Sequence, residues 1–201
     1  MIKGMKWWLN TDIKVEGELP SKDKVVIYAI KHQSAWETVF CTDFFSMPSI
    51  VLKKALIFLP VIGLYFLRSG AIPITRDQGI NALKKMGRNA KIAVKKNRSM
   101  MIFPQGTRVS PGVSPKEKPY LPGVFFLYSQ TKVPVVPVAH NAGLIWPKNS
   151  FIKYPERLSS KSVTLKILPE IQPGLSKKEF LSKLETEIEN ASNELIKKEL
   201  S

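Results

Sequence analysis

The stretch Lys24–Phe45, KVVIYAIKHQSAWETVFCTDFF, contains the change of pattern on which the fold turns. Lys24–Lys31 is rich in Val and Ile between polar ends and reads as a strand. Ser34–Phe45 follows it as a helix, so a strand feeds directly into a helix across His32 and Gln33. Further strand-like runs lie at Ala71–Thr75, Ser99–Phe103, Val133–Ala139 and Ser162–Leu168. Gly79–Lys96 reads as a basic helix, with Ile80, Leu83, Ile92 and Val94 set among six Lys and Arg residues. Ser176–Leu200 has Phe180, Leu184, Ile188 and Leu195 near a 3.6 period and opens with the capping box Ser176-x-x-Glu179. Strands alternating with helices predict an α/β layer architecture. Residues 1–201 are expected to form one domain, and no internal repeat interrupts them. The Pro- and Lys-rich segment Val109–Tyr120 is too long for a plain turn and hints at function.

Lys and Arg number 31 against 16 Asp and Glu, a net charge of +15. A charge of that size concerns partners rather than fold. Nucleic acid, anionic lipid, polyanionic small molecules and acidic carrier proteins are the candidates. No helix-turn-helix, zinc-finger or RNA-binding signature accompanies the charge, so nucleic-acid binding rests on charge alone. The single cysteine, Cys41, lies in an apolar stretch and reads as a buried small residue. No window reaches the ~18 apolar residues of a spanning helix. The longest apolar run, Ala55–Leu67, contains Pro60 and Gly63 and is flanked by Lys53, Lys54 and Arg68. Its length suits a buried or interfacial segment.

Four constellations carry the chemistry-bearing residues. In His32-Gln-Ser-Ala-Trp-Glu37, a neutral imidazole can take a proton from an alcohol while a carboxylate holds its tautomer. The same spacing makes Ser34-x-x-Glu37 a capping box, and on the pair alone that reading is the stronger. Phe103-Pro-Gln-Gly-Thr-Arg108 follows a strand. Gly106 permits close backbone approach, Thr107 offers a hydroxyl, and Arg108 offers a planar fork suited to phosphate. A strand-ending turn with a solvated Arg fits the same residues. Gly70-Ala-Ile-Pro-Ile-Thr-Arg76 places a second Arg at a strand end, or an exposed Arg on an edge strand. Val133-Pro-Val-Val-Pro-Val-Ala139, with Pro137, suits core or edge. His140 is a conceivable second base with little to support it. Two histidines without a Cys or carboxylate cluster predict no metal site.

Together and in this order, the four blocks resemble those of the 1-acylglycerol-3-phosphate acyltransferases of the glycerolipid acyltransferase family. That family carries His-x4-Asp, Gly-x-Ile-x-Ile-x-Arg, Phe-Pro-Glu-Gly-Thr-Arg and Val-Pro-Val-x-Pro-Val. The resemblance runs from about Val15 to the C-terminal helix. Three residues depart from it: Glu37 stands for Asp, Gln105 for Glu, and Thr75 for an Asp often found before the Arg. Relatives often begin with an apolar membrane-embedded helix; either residues 1–10 are the remnant of such an anchor, or attachment relies on other surfaces.

The resemblance implies a layered αβα domain with a mixed central sheet. It implies acyl transfer from acyl-CoA or acyl-carrier protein to the free hydroxyl of lysophosphatidate, or to another lysolipid or glycerol 3-phosphate. His32 would be the base and Glu37 its orienting partner. Arg76 and Arg108 would hold the acceptor phosphate, with Gly106 and Thr107 shaping that site. Phe103, Pro104, Gln105 and Pro137 would line the acyl pocket. No cofactor beyond the acyl donor is implied. Trp7, Trp8, Lys53, Lys54, Phe58 and Arg68 are the expected contacts with an anionic membrane surface, at the cytoplasmic face of the cell membrane.

Overall fold

The computed structural model describes residues 11–75, 79–150, 152–160 and 162–200. Its strands are β1 (Asp12–Glu16), β2 (Ile27–Ile30), β3 (Ser49–Lys53), β4 (Ile72–Ile74), β5 (Met100–Ile102), β6 (Val135–His140) and β7 (Ser162–Ile167). The α-helices are α1 (Trp36–Phe44), α2 (Ile62–Arg68), α3 (Gly79–Lys95), α4 (Gly123–Thr131) and α5 (Lys177–Leu200). The strands form one seven-stranded sheet in the order β1-β7-β6-β2-β5-β3-β4. Only the β6–β7 pairing is antiparallel, so β1 and β7 run against the other five strands. The mixed sheet agrees with the expectation.

β2 shows why the layers form. All four of its residues are buried, as expected of a parallel strand covered on both faces. Val26, Tyr28 and Ile30 pack into one apolar layer, with Trp36 and Phe40 of α1 and Phe66 of α2. Ile27 and Ala29 pack into the other, against Met86 and Ala90 of α3, Leu127 of α4 and Phe180, Leu184 and Ile188 of α5. The period of two therefore feeds both cores from one strand. Full burial of side chains such as Phe180, Leu184 and Ile188 contributes about 1.5–3 kcal/mol each.

The capping box closes α5 as expected. Ser176 N–H donates to Glu179 at 3.0 Å, and Glu179 N–H donates to the Ser176 hydroxyl at 3.4 Å. Among the strands and α-helices, β1, β3, α2 and α4 were not foreseen. The apolar run 55–67 divides into a 3₁₀ turn, Lys54–Phe58, and the short helix α2. It is neither wholly buried nor spanning. Phe66 is buried, whereas Phe58 and Val61 are 75% and 82% exposed. No described helix is long and apolar enough to cross a membrane.

Candidate active site

β2 and its neighbour β5 run parallel, so the segments that follow them meet at the same carboxyl edge of the sheet. His32 lies just beyond β2, and Phe103–Arg108 just beyond β5. The two segments are tied together where Val109 N–H donates to the His32 carbonyl at 2.7 Å.

His32 Nδ1 and Glu37 Oε1 are 2.7 Å apart. The same Oε1 accepts the N–H groups of Gln33 at 2.9 Å and Ser34 at 2.8 Å, and Ser34 N–H also reaches Oε2 at 3.1 Å. One carboxylate thus holds both the turn before α1 and the His32 ring. Only half of the capping box forms, because the Ser34 hydroxyl accepts from Trp36 N–H rather than Glu37 N–H. Glu37 is fully buried while His32 is 17% exposed. Burial pushes the Glu37 carboxyl up. The neighbouring His140, the hydrogen bond and charge of His32 and the Ser34 N–H outweigh it, leaving Glu37 below the ordinary carboxylate value. An ionised Glu37 accepts, so Nδ1 of His32 donates to it. Nε2, across the ring, is left for the cavity that His32 lines. The Phe103 ring stacks on the imidazole at 4.0 Å and 16°, which fixes its plane.

A cavity of about 790 Å³ opens beside His32, within the range of small-molecule clefts (about 300–1,000 Å³). Phe103, Pro104, Gly106, Thr107 and Arg108 line it. Gly106 turns the chain at φ +66°, a conformation that a side chain would strain. Arg108 is half-buried, with no carboxylate within 4 Å among the described residues. The rest of the wall is largely apolar: Ile50 and Leu52 of β3, Phe66 of α2, Leu83 and Met86 of α3, and Val124 of α4. Sequence reading missed these, since their common face exists only once β3 and α4 are placed. Lys53 reaches the cavity too, whereas Lys54 and Arg68 are simply exposed.

Two expected pocket residues are elsewhere. Pro137 is buried inside β6, paired in register with Ala29, and takes no part in the cavity wall. Gln105 turns away from the cavity, and its amide donates to the Lys118 carbonyl at 2.8 Å. A Glu at this position, lacking an N–H, would make no such bond. With Leu121 N–H donating to the Pro104 carbonyl at 2.9 Å, this bond ties the 109–120 loop to the site. Arg76, Trp7 and Trp8 lie outside the described residues. Cys41 is buried, and burial, reinforced by the charge of Glu37, pushes its thiol well above the ordinary value. That removes it as a nucleophile.

A family model described as Acyltransferase matches residues 12–141. The chain is 39% identical over 137 residues to a 1-acyl-sn-glycerol-3-phosphate acyltransferase of Pseudomonas aeruginosa, covering 68% of this chain and 51% of that one. It is 30% identical over 147 residues to the protein of that name from Saccharomyces cerevisiae, covering 72% and 48%. The chain therefore spans about half the length of these curated relatives. The crystal structure of the 1-acyl-sn-glycerophosphate (LPA) acyltransferase, PlsC, from Thermotoga maritima superposes with a TM-score of 0.76 at 25% identity, covering 96% of this chain and 76% of that one.

Proposed function

Because the chain belongs to the acyltransferase family, we propose that it transfers a fatty acyl group from a thioester donor to the free hydroxyl of 1-acylglycerol 3-phosphate, giving phosphatidate. The observation that carries the reading is the His32–Glu37 pair on the wall of a largely apolar cavity that also holds Arg108. His32 Nε2 takes the proton from the acceptor hydroxyl, and the oxygen attacks the thioester carbonyl. As the tetrahedral intermediate collapses, the C–S bond breaks and the proton passes from His32 to the leaving thiolate. Glu37 stays ionised throughout and steadies the imidazolium. The apolar wall suits a fatty chain. The donor is acyl-CoA or acyl-carrier protein, and no other cofactor enters the reaction.

Arg108, joined by Arg76, holds the acceptor phosphate. A guanidinium grips a phosphate bidentately, whereas an ammonium is a point charge. Arg108→Lys is therefore expected to behave as a severe change, raising the apparent KM for lysophosphatidate and leaving donor dependence nearly intact. The test compares lysophosphatidate with lysophosphatidylglycerol in wild type, Arg76→Ala and Arg108→Ala. Lysophosphatidylglycerol, whose phosphate bears one charge, should lose less. Wild-type affinity for lysophosphatidate in both variants would remove the phosphate assignment.

The site works at an anionic membrane surface, at the cytoplasmic face where the donors are. Exposed Phe58, Val61, Leu64 and Leu67 supply apolar contact beside the exposed cations Lys53, Lys54 and Arg68. Binding to anionic vesicles should weaken in high salt yet persist, because salt screens only the charged part. Complete release by salt, or indifference to lipid charge, would contradict this reading.

A further inference from the structure

His140 closes β6, the strand on the other side of β2 from β5, and is fully buried. Nothing in the proposed reaction uses it. Its ring contacts are nevertheless directed at the residues around His32. Nε2 lies 2.7 Å from the carbonyl oxygen of Lys31, the residue immediately before His32. A carbonyl only accepts, so this nitrogen carries a hydrogen. Nδ1 accepts the N–H of Ala142 at 3.2 Å, so it carries none. The two backbone partners thus select a neutral ring protonated at Nε2. The Ala142 N–H would have to move before Nδ1 could hold a second proton, whereas the Lys31 carbonyl accepts from Nε2–H in either state.

The same nitrogen lies 3.8 Å from Glu37 Oε2, the carboxylate oxygen that His32 does not engage. The segment that begins at His140 also reaches the other side of His32. Gly143 N–H meets the Gln33 side-chain oxygen at 3.3 Å. A Cβ on Gly143 would come within 2.7 Å of Gln33 Cβ, so the Gly143 backbone packs against the Gln33 side chain as closely as a glycine allows. Residues 31 and 33 are therefore both held by 140–143. Lys31 is fixed further by its N–H to the Val138 carbonyl at 3.0 Å and by an ion pair between its buried ammonium and Glu189, which also accepts the Tyr120 hydroxyl at 2.8 Å.

We propose that His140 is a positioning residue for the acyl-transfer site: as a neutral Nε2–H imidazole it clamps the Lys31 carbonyl, and so fixes the backbone that aims His32 at the cavity. This rests on the assignment of His32 as base. Neutrality matters because a cation at that distance from Glu37 would compete with His32 for the carboxylate as the imidazolium develops. Desolvation lowers the pKa of His140, and the charges of His32 and Lys31 act in the same direction. Glu37 and the Lys31 carbonyl oppose them, and the net displacement is downward. The charged groups facing the ring are thus Glu37, His32 and the Lys31 ammonium. Misplacing a base by about an ångström can cut a rate by about 10²-fold.

The test exploits the presence of only two histidines. In the wild-type protein labelled with ¹⁵N-histidine, NMR at neutral to mildly alkaline pH should show two opposite neutral tautomers. His32 should be protonated at Nδ1 and His140 at Nε2, with assignments taken from His140→Gln. The His140 ring should take up a second proton only below the ordinary histidine range, about 6.5. His140→Phe should lower kcat by about 10- to 100-fold and leave the KM for lysophosphatidate little changed. His140→Gln, whose amide N–H can reach the Lys31 carbonyl, should recover much of the loss. Rings sharing one tautomer, a cationic His140 at neutral pH, unchanged kcat in His140→Phe, or equal impairment of the two variants would each overturn the proposal. Should His140→Phe fail to fold, the wild-type tautomers and the kcat of His140→Gln decide. The tautomers are read without turnover, so failure of the base assignment would appear separately, as an active His32→Ala.

Discussion

His32→Ala should stay folded and lose phosphatidate formation by about 10²–10⁴-fold, the range for a lost general base. Folding survives because the ring is partly exposed and its loss leaves no buried charge unsolvated. Glu37, fully buried, still accepts the N–H groups of Gln33 and Ser34. The Phe103 ring loses its stacking partner, a modest effect at the wall of an open cavity. Circular dichroism and initial rates with saturating lysophosphatidate provide the check. A folded variant with near-normal turnover would contradict the mechanism.

Glu37→Gln should cut activity by a similar order, about 10²–10⁴-fold, with Glu37→Asp milder. One carboxylate makes four contacts with the chain around His32, three from backbone N–H groups and one from the ring. A Gln can accept at one oxygen only. Whichever way it turns, its NH₂ confronts a donor, either His32 Nδ1–H or Ser34 N–H. The first arrangement favours the wrong imidazole tautomer, and the second weakens the turn before α1. Asp keeps both oxygens and falls short by one methylene. A Gln can still close a helix cap. Full activity in Glu37→Gln would therefore mean that Glu37 serves the helix and not the reaction.

What the sequence revealed, and what it concealed, follows from how locally each feature is encoded. The strand at 27–30 and the helix at 36–44 stood out because the Val- and Ile-rich run ends where the helical stretch begins. The long amphipathic helix α5 and its cap were legible for the same local reason. β1, DIKVE, was not, because an edge strand with three exposed residues of five carries too few apolar positions. β3, SIVLK, is short, and α4, GVFFLYSQT, lacks a clear polar face, so neither announced itself. Losing these two elements concealed the apolar side of the cavity, to which Ile50, Leu52 and Val124 belong. The polar side was readable because His32–Glu37 and Phe103–Arg108 are contiguous blocks at strand ends. Gln105 and Pro137 were misplaced because motif membership does not say which way a side chain turns. The positioning role proposed for His140 had no signature in the sequence, because its partners, the Lys31 carbonyl and the Ala142 N–H, are backbone groups that no residue pattern displays.

The central claim is direct transfer, with the acceptor hydroxyl activated by His32 and no acyl group resting on the protein. The most direct measurement is rapid-mixing thiol release from acyl-CoA, with and without lysophosphatidate. Without acceptor, the account predicts no burst of free thiol, since Cys41 is buried and its thiol held protonated. With acceptor, thiol and phosphatidate should appear together in equal amounts. A stoichiometric burst of thiol in the absence of lysophosphatidate, or thiol release without phosphatidate in its presence, would contradict it.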